Sequence, residues 1–353
     1  MVGFSPNKGG VESYIVNITD QLEKLGFEIV FELPEMIIDG KIWKRPANRH
    51  NFIKYYFFWK RFFSENRFDV LYLNTCDIVS IDDLMFAKAA GIPIRIIHSH
   101  STGNQQAVER RLNIIHQLME KHNHKIIDRY ATHLFACSKE AGEWMFDDRP
   151  FEIIKNGIDL SKYAYSDQSR NKLRREFELG DAIVIAIIGR LTSVKNPLFA
   201  VRVIEELSKT GLNLRAVFLG EGEQRAQVET AVREAALETI VSFIGAVDNV
   251  NEWLSAADVL LMPSLFEGLP FVLVEAQASG LPCVVSDAVS TEANITGNIH
   301  YVGLNEPVDA WSECILNAAK EKRQRNTSIL IDAGYSIEDT ANKVSDIIKS
   351  KFH

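Results

Sequence analysis

Apolar runs and amphipathic stretches alternate along the whole chain, a pattern typical of an α/β protein with parallel sheets. In the first half, the periodicity predicts a helix over 11–25, ended by Gly26, and a strand over 27–33. Further strands are predicted over 68–74, 92–98, 133–137 and 151–154. In the second half, strands are predicted over 182–189, 214–220, 240–245, 259–262 and 282–286, with helices between them.

Two domains are expected, because 353 residues exceed what one hydrophobic core usually serves. The polar stretch 159–180 lacks a strong apolar strand, and we place the linker there. We therefore predict an N-terminal domain over 1–160, a C-terminal domain over 161–335, and a final helix over 336–353 that packs back toward the N-terminal domain. Since only residues 1–4 precede the first loop, the first strand is either very short or truncated by the choice of start codon, and we favour truncation.

Composition narrows the functional classes. Hydrophobic residues make up 46% and charged residues 24%, as in soluble globular proteins, and the net charge of −8 argues against non-specific binding of nucleic acid. The four cysteines form no CxxC pair, which favours a reducing compartment over a disulfide or zinc framework. No apolar stretch approaches the roughly 20 residues that span a bilayer, and no signal peptide is visible, so we expect a cytoplasmic protein.

The sharpest motif is FEGLPFVLVE over 266–275, directly after a predicted strand. Glu267 is predicted in a turn and Glu275 on the helix that follows. The start of that helix offers free N–H groups and a partial positive charge, which suit an anionic or polyhydroxyl ligand. A carboxylate in the turn can accept hydrogen bonds from sugar hydroxyls, and the second can reach a ribose diol. Surface or capping glutamates are the alternative interpretation.

Two cations, Arg190 and Lys195, lie in the string GRLTSVKN over 189–196, on the loop that leaves the first strand of the second half. Doubly wound sheets bind ligands at the carboxyl ends of their strands. Both cations could neutralise a diphosphate leaving group without a metal. The alternative is an ordinary solvated pair of side chains.

Two glycine motifs carry weaker information. Gly9 and Gly10 open the first helix and would let backbone approach a ligand closely, although such pairs are also common in plain turns. The string LGEGE over 219–223 resembles part of a dinucleotide fingerprint but lacks its third glycine, and its acids would repel a pyrophosphate. We interpret it as a strand-end loop.

Two histidines, His98 and His100, lie at the end of the predicted strand 92–98. No cysteine or carboxylate cluster accompanies them, so we predict no metal site. We interpret His100 as a strand-end histidine that faces the cleft between the domains. A core or solvated histidine is the alternative for both positions.

Together these residues resemble family 4 of the retaining glycosyltransferases over nearly the whole chain, and most closely the bacterial enzymes that build capsular or extracellular polysaccharide. Glu267 to Glu275 looks like the family's Glu-x7-Glu signature. The segment NGID over 156–159 is similar to the family's segment before the interdomain crossover, and FIGAV over 243–247 looks like its nucleobase-side loop. The resemblance implies a GT-B fold, with two doubly wound Rossmann-like domains that face each other across a cleft.

The resemblance also implies roles for individual residues. Arg190 and Lys195 would hold the diphosphate of a nucleotide-sugar donor, with uridine as the expected base, and Glu275 would bind the ribose. The remaining positions would be Glu267 with the backbone of Gly268, Leu269 and Pro270 on the transferred sugar, Val247 on the nucleobase side, Gly9 and Gly10 near the diphosphate, and His100 at the sugar near the scissile bond. The family uses neither metal nor cofactor, and we expect neither here.

The expected reaction is transfer to a glycan or lipid-linked acceptor by front-face retention, since no side chain is an obvious covalent nucleophile. Two alternatives stay open: an inactive donor-binding subunit that partners another transferase, and a nucleotide-sugar epimerase on the same fold. Fold analogy does not choose the sugar or the acceptor.

The segment 41–67 is rich in basic and aromatic residues. The aromatic positions 52, 55, 59, 62 and 63 share one helical face. This face either packs on the first domain's core or docks on anionic lipid at the inner face of the plasma membrane, where a lipid-linked acceptor would lie. We expect no nucleic-acid partner.

Overall fold

The computed structural model describes residues 1, 10–46, 52–101, 114–267, 269–324 and 326–352. The chain forms two units. Unit 1 comprises Met1–Gly157 and Ile337–His353, and unit 2 comprises Ile158–Ser336. The division falls close to position 160, where the sequence placed the domain boundary, and the final helix belongs to unit 1.

Unit 1 is built on a parallel sheet. Its elements are α1 (Gly10–Lys24), β1 (Glu35–Ile38), β2 (Lys41–Lys44), α2 (Phe52–Glu65), β3 (Val70–Thr75), α3 (Asp82–Ala89), β4 (Ile94–Ser99), α4 (Ile114–Ile126), β5 (His133–Ala136), α5 (Lys139–Phe146), β6 (Glu152–Ile153) and the C-terminal helix (Ile337–Lys349). The sheet order is β3-β4-β5-β6, and β1 pairs with β2 in an antiparallel hairpin. The C-terminal helix packs on α1, and its Lys343 ammonium donates to the Ile153 carbonyl at 2.9 Å.

The strand predicted over 27–33 is wrong. Its described strand-like hydrogen bonds are to Met1: the α-amino group donates to the Val30 carbonyl at 2.8 Å, and the Glu32 N–H donates to the Met1 carbonyl at 2.9 Å. A strand requires a continuous neighbour, which this segment lacks among the described strands.

The hairpin of β1 and β2 was missed from the sequence, although Asp39 and Gly40 mark it. Both have positive φ, of 49° and 74°. An Asp-Gly pair between apolar residues is the usual two-residue hairpin signal, because the matching turn needs positive φ at both positions.

The aromatic face of α2 points inward. Tyr55, Trp59 and Phe62 are at most 3% exposed and pack with Met36 and Trp43. These three residues therefore belong to the core of unit 1, as the packing interpretation predicts. The outer side of α2 exposes Ile53 and Phe57 instead.

Unit 2 is built on a larger parallel sheet. Its elements are α6 (Leu160–Tyr163), α7 (Asp167–Glu176), β7 (Ile183–Ile188), α8 (Pro197–Ser208), β8 (Leu214–Leu219), α9 (Arg225–Glu234), β9 (Val241–Gly245), α10 (Val250–Ala256), β10 (Val259–Met262), α11 (Phe271–Ala278), β11 (Cys283–Ser286), β12 (Ile299–Val302), α12 (Val308–Ala318) and α13 (Thr327–Asp332). The sheet order is β12-β11-β10-β7-β8-β9. Apolar helices cover both faces, which explains why β7 and β10 are continuous apolar runs.

The stretch 159–180 is not a linker. It folds as α6 and α7, whose starts are capped by Asp159 and Ser166 side chains, and it buries Tyr163 and Leu173 in the core of unit 2. The segment reads as polar because α7 buries little more than Leu173 and exposes most of its length.

Asn196 precedes α8 without capping it through its side chain. It adopts the left-handed conformation, with φ 52° and ψ 47°, and its amide donates to the Pro263 carbonyl at 3.1 Å. The residue therefore ties the loop after β7 to the end of β10.

Candidate active site

The predicted residues of unit 2 collect at the carboxyl edge of its sheet. Because all six strands run parallel, the loops after β7, β9 and β10 leave at the same edge. These loops carry Arg190 and Lys195, then Val247, then Glu267, Leu269 and Pro270. Gly268 lies outside the described residues.

Lys195 and Glu267 form an ion pair, with 2.5 Å between Nζ and Oε1. The Glu267 side chain is 6% exposed. Backbone bonds fix its position, since its N–H donates to the Ala288 carbonyl at 3.4 Å and its carbonyl accepts from Ser290 at 3.0 Å. A buried carboxylate needs a partner charge, and Lys195 supplies it.

Arg190 differs from Lys195, because its side chain is exposed and enters no ion pair with the described residues. It follows Gly189, whose φ is 144°. The site thus holds one cation committed to a carboxylate and one that faces solvent.

The loops after β7 and β8 interlock through glycines. A Cβ at Gly220 would lie 2.0 Å from the Gly189 carbonyl oxygen, and a Cβ at Gly222 would lie 2.3 Å from the Leu191 oxygen. Glu221 between them bonds Arg225, Nη1 to Oε1, at 2.9 Å. The LGEGE string therefore forms the predicted strand-end loop, and its glycines permit close approach of two backbones.

Glu275 lies on α11 and is 9% exposed. Burial raises the pKa of its carboxyl group to about 7, partly offset by a hydrogen bond from the Tyr163 hydroxyl. Burial, with the charge of Glu275, also raises the pKa of Tyr163. Tyr163 was not identified from the sequence, because it lies in the segment interpreted as a linker.

In unit 1, His100 lies between two asparagines. Its Nδ1 is 2.8 Å from Asn156 Oδ1, and its Nε2 is 3.0 Å from Asn74 Oδ1. Burial lowers the pKa of His100 to about 4, so the ring is neutral at physiological pH. Because a neutral imidazole donates from one nitrogen, one asparagine must turn its amide N–H toward the ring.

His98 is a core residue. It is fully buried, with Nδ1 2.9 Å from the Tyr72 hydroxyl and Nε2 3.1 Å from the Ile154 carbonyl. Burial and the neighbouring His100 lower its pKa well below the usual value. The structure therefore separates the two histidines: His98 is internal, and His100 is partly accessible.

Other predictions have plainer outcomes. Gly10 is the first residue of α1, whereas Gly9 lies outside the described residues. Val247 and Leu269 are half-buried and pack against the core of unit 2. In the described part of the chain, no three His, Cys, Asp or Glu side chains are grouped to hold a metal ion, and no helix is long and apolar enough to span a bilayer.

Two family models match the chain. The one described as Glycosyltransferase Family 4 matches residues 8–162, and the one described as Glycosyl transferases group 1 matches residues 169–329. EpsF of Bacillus subtilis (strain 168), assigned as a glycosyltransferase, is 28% identical over 97% of this chain and 93% of its own length. The chain belongs to the glycosyltransferases of the family 4 type.

Further relatives and solved structures agree with this assignment. An Escherichia coli enzyme named UDP-Gal:α-D-GlcNAc-diphosphoundecaprenol α-1,3-galactosyltransferase is 24% identical over 74% of this chain and 70% of its own length. Anabaena HepE, solved with UDP and glucose, has a TM-score of 0.75 at 16% identity, covering 99% of this chain and 98% of HepE. Sucrose-phosphate synthase of Thermosynechococcus elongatus has a TM-score of 0.77 at 15% identity, with the same coverage. These likenesses establish the GT-B fold for this glycosyltransferase.

The raised pKa of Glu275 predicts a pH-dependent stability of this glycosyltransferase. Because the folded pKa of about 7 exceeds the ordinary 4.5, the folded state holds the proton more tightly than the unfolded state does. The free energy of unfolding of the wild type, compared with that of the neutral variant Glu275→Gln, should therefore fall as the pH rises from about 4.5 to 7. The total fall should be roughly 3 kcal/mol. Urea denaturation of both proteins from pH 4.5 to 8 measures this difference, and a constant difference would contradict a buried carboxyl group.

Proposed function

We propose that this glycosyltransferase moves a sugar, with retention and without a metal, from a uridine diphosphate donor to a growing cell-surface glycan or lipid-linked acceptor. The observation that carries the proposal is the arrangement at the carboxyl edge of the unit 2 sheet. An exposed cation, Arg190, which pairs with no described carboxylate, and an ion pair, Lys195 with Glu267, share this edge. Two positive groups suit a diphosphate, and a carboxylate suits sugar hydroxyls.

Lys195 would change partners when the donor binds. Without ligand, its ammonium neutralises Glu267 at 2.5 Å. A diphosphate at the strand ends would draw the Lys195 ammonium away from Glu267, so that Lys195 and Arg190 both contact the phosphates. Glu267 would then be free to accept hydrogen bonds from the sugar. The charge that develops on the leaving diphosphate is then stabilised by both cations.

Glu275 would bind the ribose, with Val247 on the nucleobase side. The hydrogen bond between the Tyr163 hydroxyl and Glu275 keeps this carboxylate oriented in the absence of ligand. The backbone over 268–270 leads into the start of α11, whose free N–H groups suit the polar sugar. Gly9 and Gly10 would approach the diphosphate from unit 1.

His100 would contact the sugar near the scissile bond. Its low pKa, caused by burial, leaves it neutral, so it adds no charge, and one of its asparagine partners would have to yield a ring nitrogen to the sugar. We favour front-face attack by the acceptor, with the proton passing to the leaving phosphate, because no described side chain of the site is an obvious covalent nucleophile. The donor alone supplies the electrophile, so the proposal requires no cofactor.

The names of relatives support the donor and acceptor classes. The Escherichia coli relative is named for UDP-Gal and a diphosphoundecaprenol acceptor. HepE was also solved with UDP-glucose. AmsK of Erwinia amylovora, 33% identical over 38% of this chain, is named for amylovoran biosynthesis. A uridine donor and a polysaccharide or lipid-linked acceptor are therefore the first substrates to test.

The decisive experiment combines binding with turnover. Thermal shift with UDP, GDP and ADP identifies the base, and the matching nucleotide sugars are then assayed for transfer to polyprenyl-diphosphate sugar acceptors, with and without EDTA. We expect UDP to stabilise the protein and transfer to continue in EDTA, with the anomeric configuration retained by NMR. Donor binding without transfer would support an inactive subunit, and conversion of the donor sugar in place would support an epimerase.

We further propose that segment 41–67 rests on an anionic membrane surface. With Tyr55, Trp59 and Phe62 buried, the contact would fall to the exposed side chains Ile53 and Phe57. Glu65 already pairs with Lys41 and Arg61, which reduces the positive charge available to lipid. Sedimentation with phosphatidylglycerol vesicles at low salt tests the contact, and absence of binding there refutes it.

The ion pair of Lys195 and Glu267 predicts that a double variant regains the stability lost in Lys195→Ala but does not regain transfer activity. Lys195→Ala should destabilise unit 2 by about 2–4 kcal/mol, because it leaves a buried carboxylate unpaired. Adding Glu267→Gln should recover most of this loss, since the carboxylate is then neutral. Transfer should stay low in both single variants and in the double variant. Chemical denaturation and transfer assays on all four proteins measure the cycle; recovery of activity in the double variant would refute direct roles in catalysis.

A further inference from the structure

The backbone of Glu267 is held by a neighbouring segment, residues 288–296, which follows β11. One parallel bridge, between Glu267 and Val289, joins the two. In this bridge the Glu267 N–H donates to the Ala288 carbonyl, and the Ser290 N–H donates to the Glu267 carbonyl. A shift of segment 288–296 would therefore shift the backbone of Glu267.

Segment 288–296 has little regular structure of its own. It contains one 3₁₀ turn, Thr291–Ala293, and short bonds such as that from the Asn294 N–H to the Thr291 carbonyl, at 3.1 Å. Val289 and Ala293 are buried in the core of unit 2. Apolar burial holds a segment against a core but is non-directional, so it does not fix where the backbone lies. Directional contacts must come from a neighbouring element.

Gln277 of α11 supplies such contacts. Its side chain is fully buried. The amide nitrogen donates to the carbonyls of Leu273 and Ala293, at 3.0 and 2.8 Å. The amide oxygen accepts from the N–H groups of Ile295 and Thr296, both at 2.9 Å, and from the Thr296 hydroxyl at 3.0 Å. Four of these five bonds lead from α11 to the segment after β11.

These partners require an amide at position 277. Carbonyls lie on its nitrogen side and N–H groups on its oxygen side, so the orientation of the amide is fixed. Methionine has a similar length but would leave these buried partners without their bonds, which is costly. Glu275, two positions earlier and roughly 200° around the helix, bonds Tyr163 instead. Helix α11 is thus tied to α6 on one side and to segment 288–296 on the other.

We propose that Gln277 is a positioning residue for Glu267, and the inference rests on the role proposed for Glu267 in holding the transferred sugar. Gln277 fixes segment 288–296, and Ala288 and Ser290 of this segment fix the backbone of Glu267. Because Gln277 is fully buried, it acts on the sugar only through Glu267.

Hydrogen exchange in the ligand-free protein tests the first step. Gln277→Met nearly keeps the side-chain size and removes all five bonds. The Ser290 amide, which donates to Glu267, should then exchange about tenfold faster, the equivalent of one lost hydrogen bond. Thr296→Val removes a hydroxyl that bonds Gln277 and Asn298, and it should act in the same direction by less. Unchanged exchange at Ser290 in every variant that folds would overturn the inference.

Kinetics with a UDP-sugar test the second step. The nucleotide is proposed to contact Arg190, Lys195 and Glu275, so Gln277→Met should leave the Kd for UDP unchanged. Displacement of Glu267 should lower kcat about 10- to 100-fold, the usual cost of a misplaced group in an active site. A residue that served stability alone would not separate turnover from UDP binding in this way.

Arg323→Met is the matched control. The half-buried guanidinium of Arg323 also makes five hydrogen bonds, to Ser279 and to three carbonyls that precede β10. Its removal should lower the Tm without changing Ser290 exchange or kcat. An equal fall of kcat in both variants would show that Gln277 serves stability alone. Absence of UDP binding to the wild type would refute the donor site and the kinetic step with it, whereas the exchange result is decided without any donor.

Discussion

Replacing Arg190 with alanine should lower kcat about 10²–10³-fold, the usual cost of removing a charge that stabilises the transition state. The effect should fall on turnover more than on folding, because the side chain is exposed and pairs with no described residue. The Tm of Arg190→Ala should therefore match that of the wild type. Steady-state transfer kinetics with a UDP-sugar measure the loss.

Arg202→Ala is the matched control for this variant. Arg202 is also an exposed arginine of unit 2, but it lies on α8 and stacks on its own helix neighbour Phe199, at 5.4 Å from the ring centroid. Its removal should leave kcat unchanged, whereas Arg190→Lys should retain part of the activity because the charge persists. Wild-type turnover in Arg190→Ala would remove this residue from the mechanism.

Replacing Gly220 with alanine should cost unit 2 at least about 3 kcal/mol and lower its Tm by roughly 10 °C. The added Cβ would lie 2.0 Å from the Gly189 carbonyl oxygen and 2.8 Å from its carbon, and both atoms are backbone. The φ of 138° adds strain for any residue with a side chain. Because Gly189 precedes Arg190, we expect donor affinity to fall as well.

Gly211→Ala separates the clash from the strain. Gly211 also has positive φ, of 70°, but a Cβ there would meet nothing within 4 Å. This control should cost only about 1 kcal/mol, the usual strain of alanine at such a position. Calorimetry of both variants, with UDP titrations, tests the comparison. Equal losses would show that the two loops do not interlock as described.

Part of the site could be predicted from the sequence, because its residues follow strands that the sequence also predicts. Arg190, Lys195 and Glu267 each follow an apolar run, and parallel strands bring their carboxyl ends to one edge. The contacts of Glu275 and His100 were not predictable in this way. Tyr163 lies more than a hundred positions from Glu275, and nothing in the NGID segment that Asn156 begins indicates its contact with His100.

The failures in the fold have one cause. Local periodicity predicted a strand over 27–33, but whether a segment pairs depends on a neighbour distant in the chain. The same limit applied to 159–180, where a single leucine, Leu173, anchors α7 in a core assembled from the rest of unit 2. The polar residues of that helix form its exposed face, and they give no sign of the core that its other face contacts.

The sequence by itself determined the α/β alternation, most strand positions and the residues at the strand ends, because these depend on neighbours along the chain. Only the tertiary structure decided that Lys195 neutralises Glu267, that Tyr163 bonds Glu275 and that Gly220 lets two loops touch. Each of these joins segments far apart in the chain. The energies of these contacts depend on burial and on the distances between charged groups, and both are set only when the units fold.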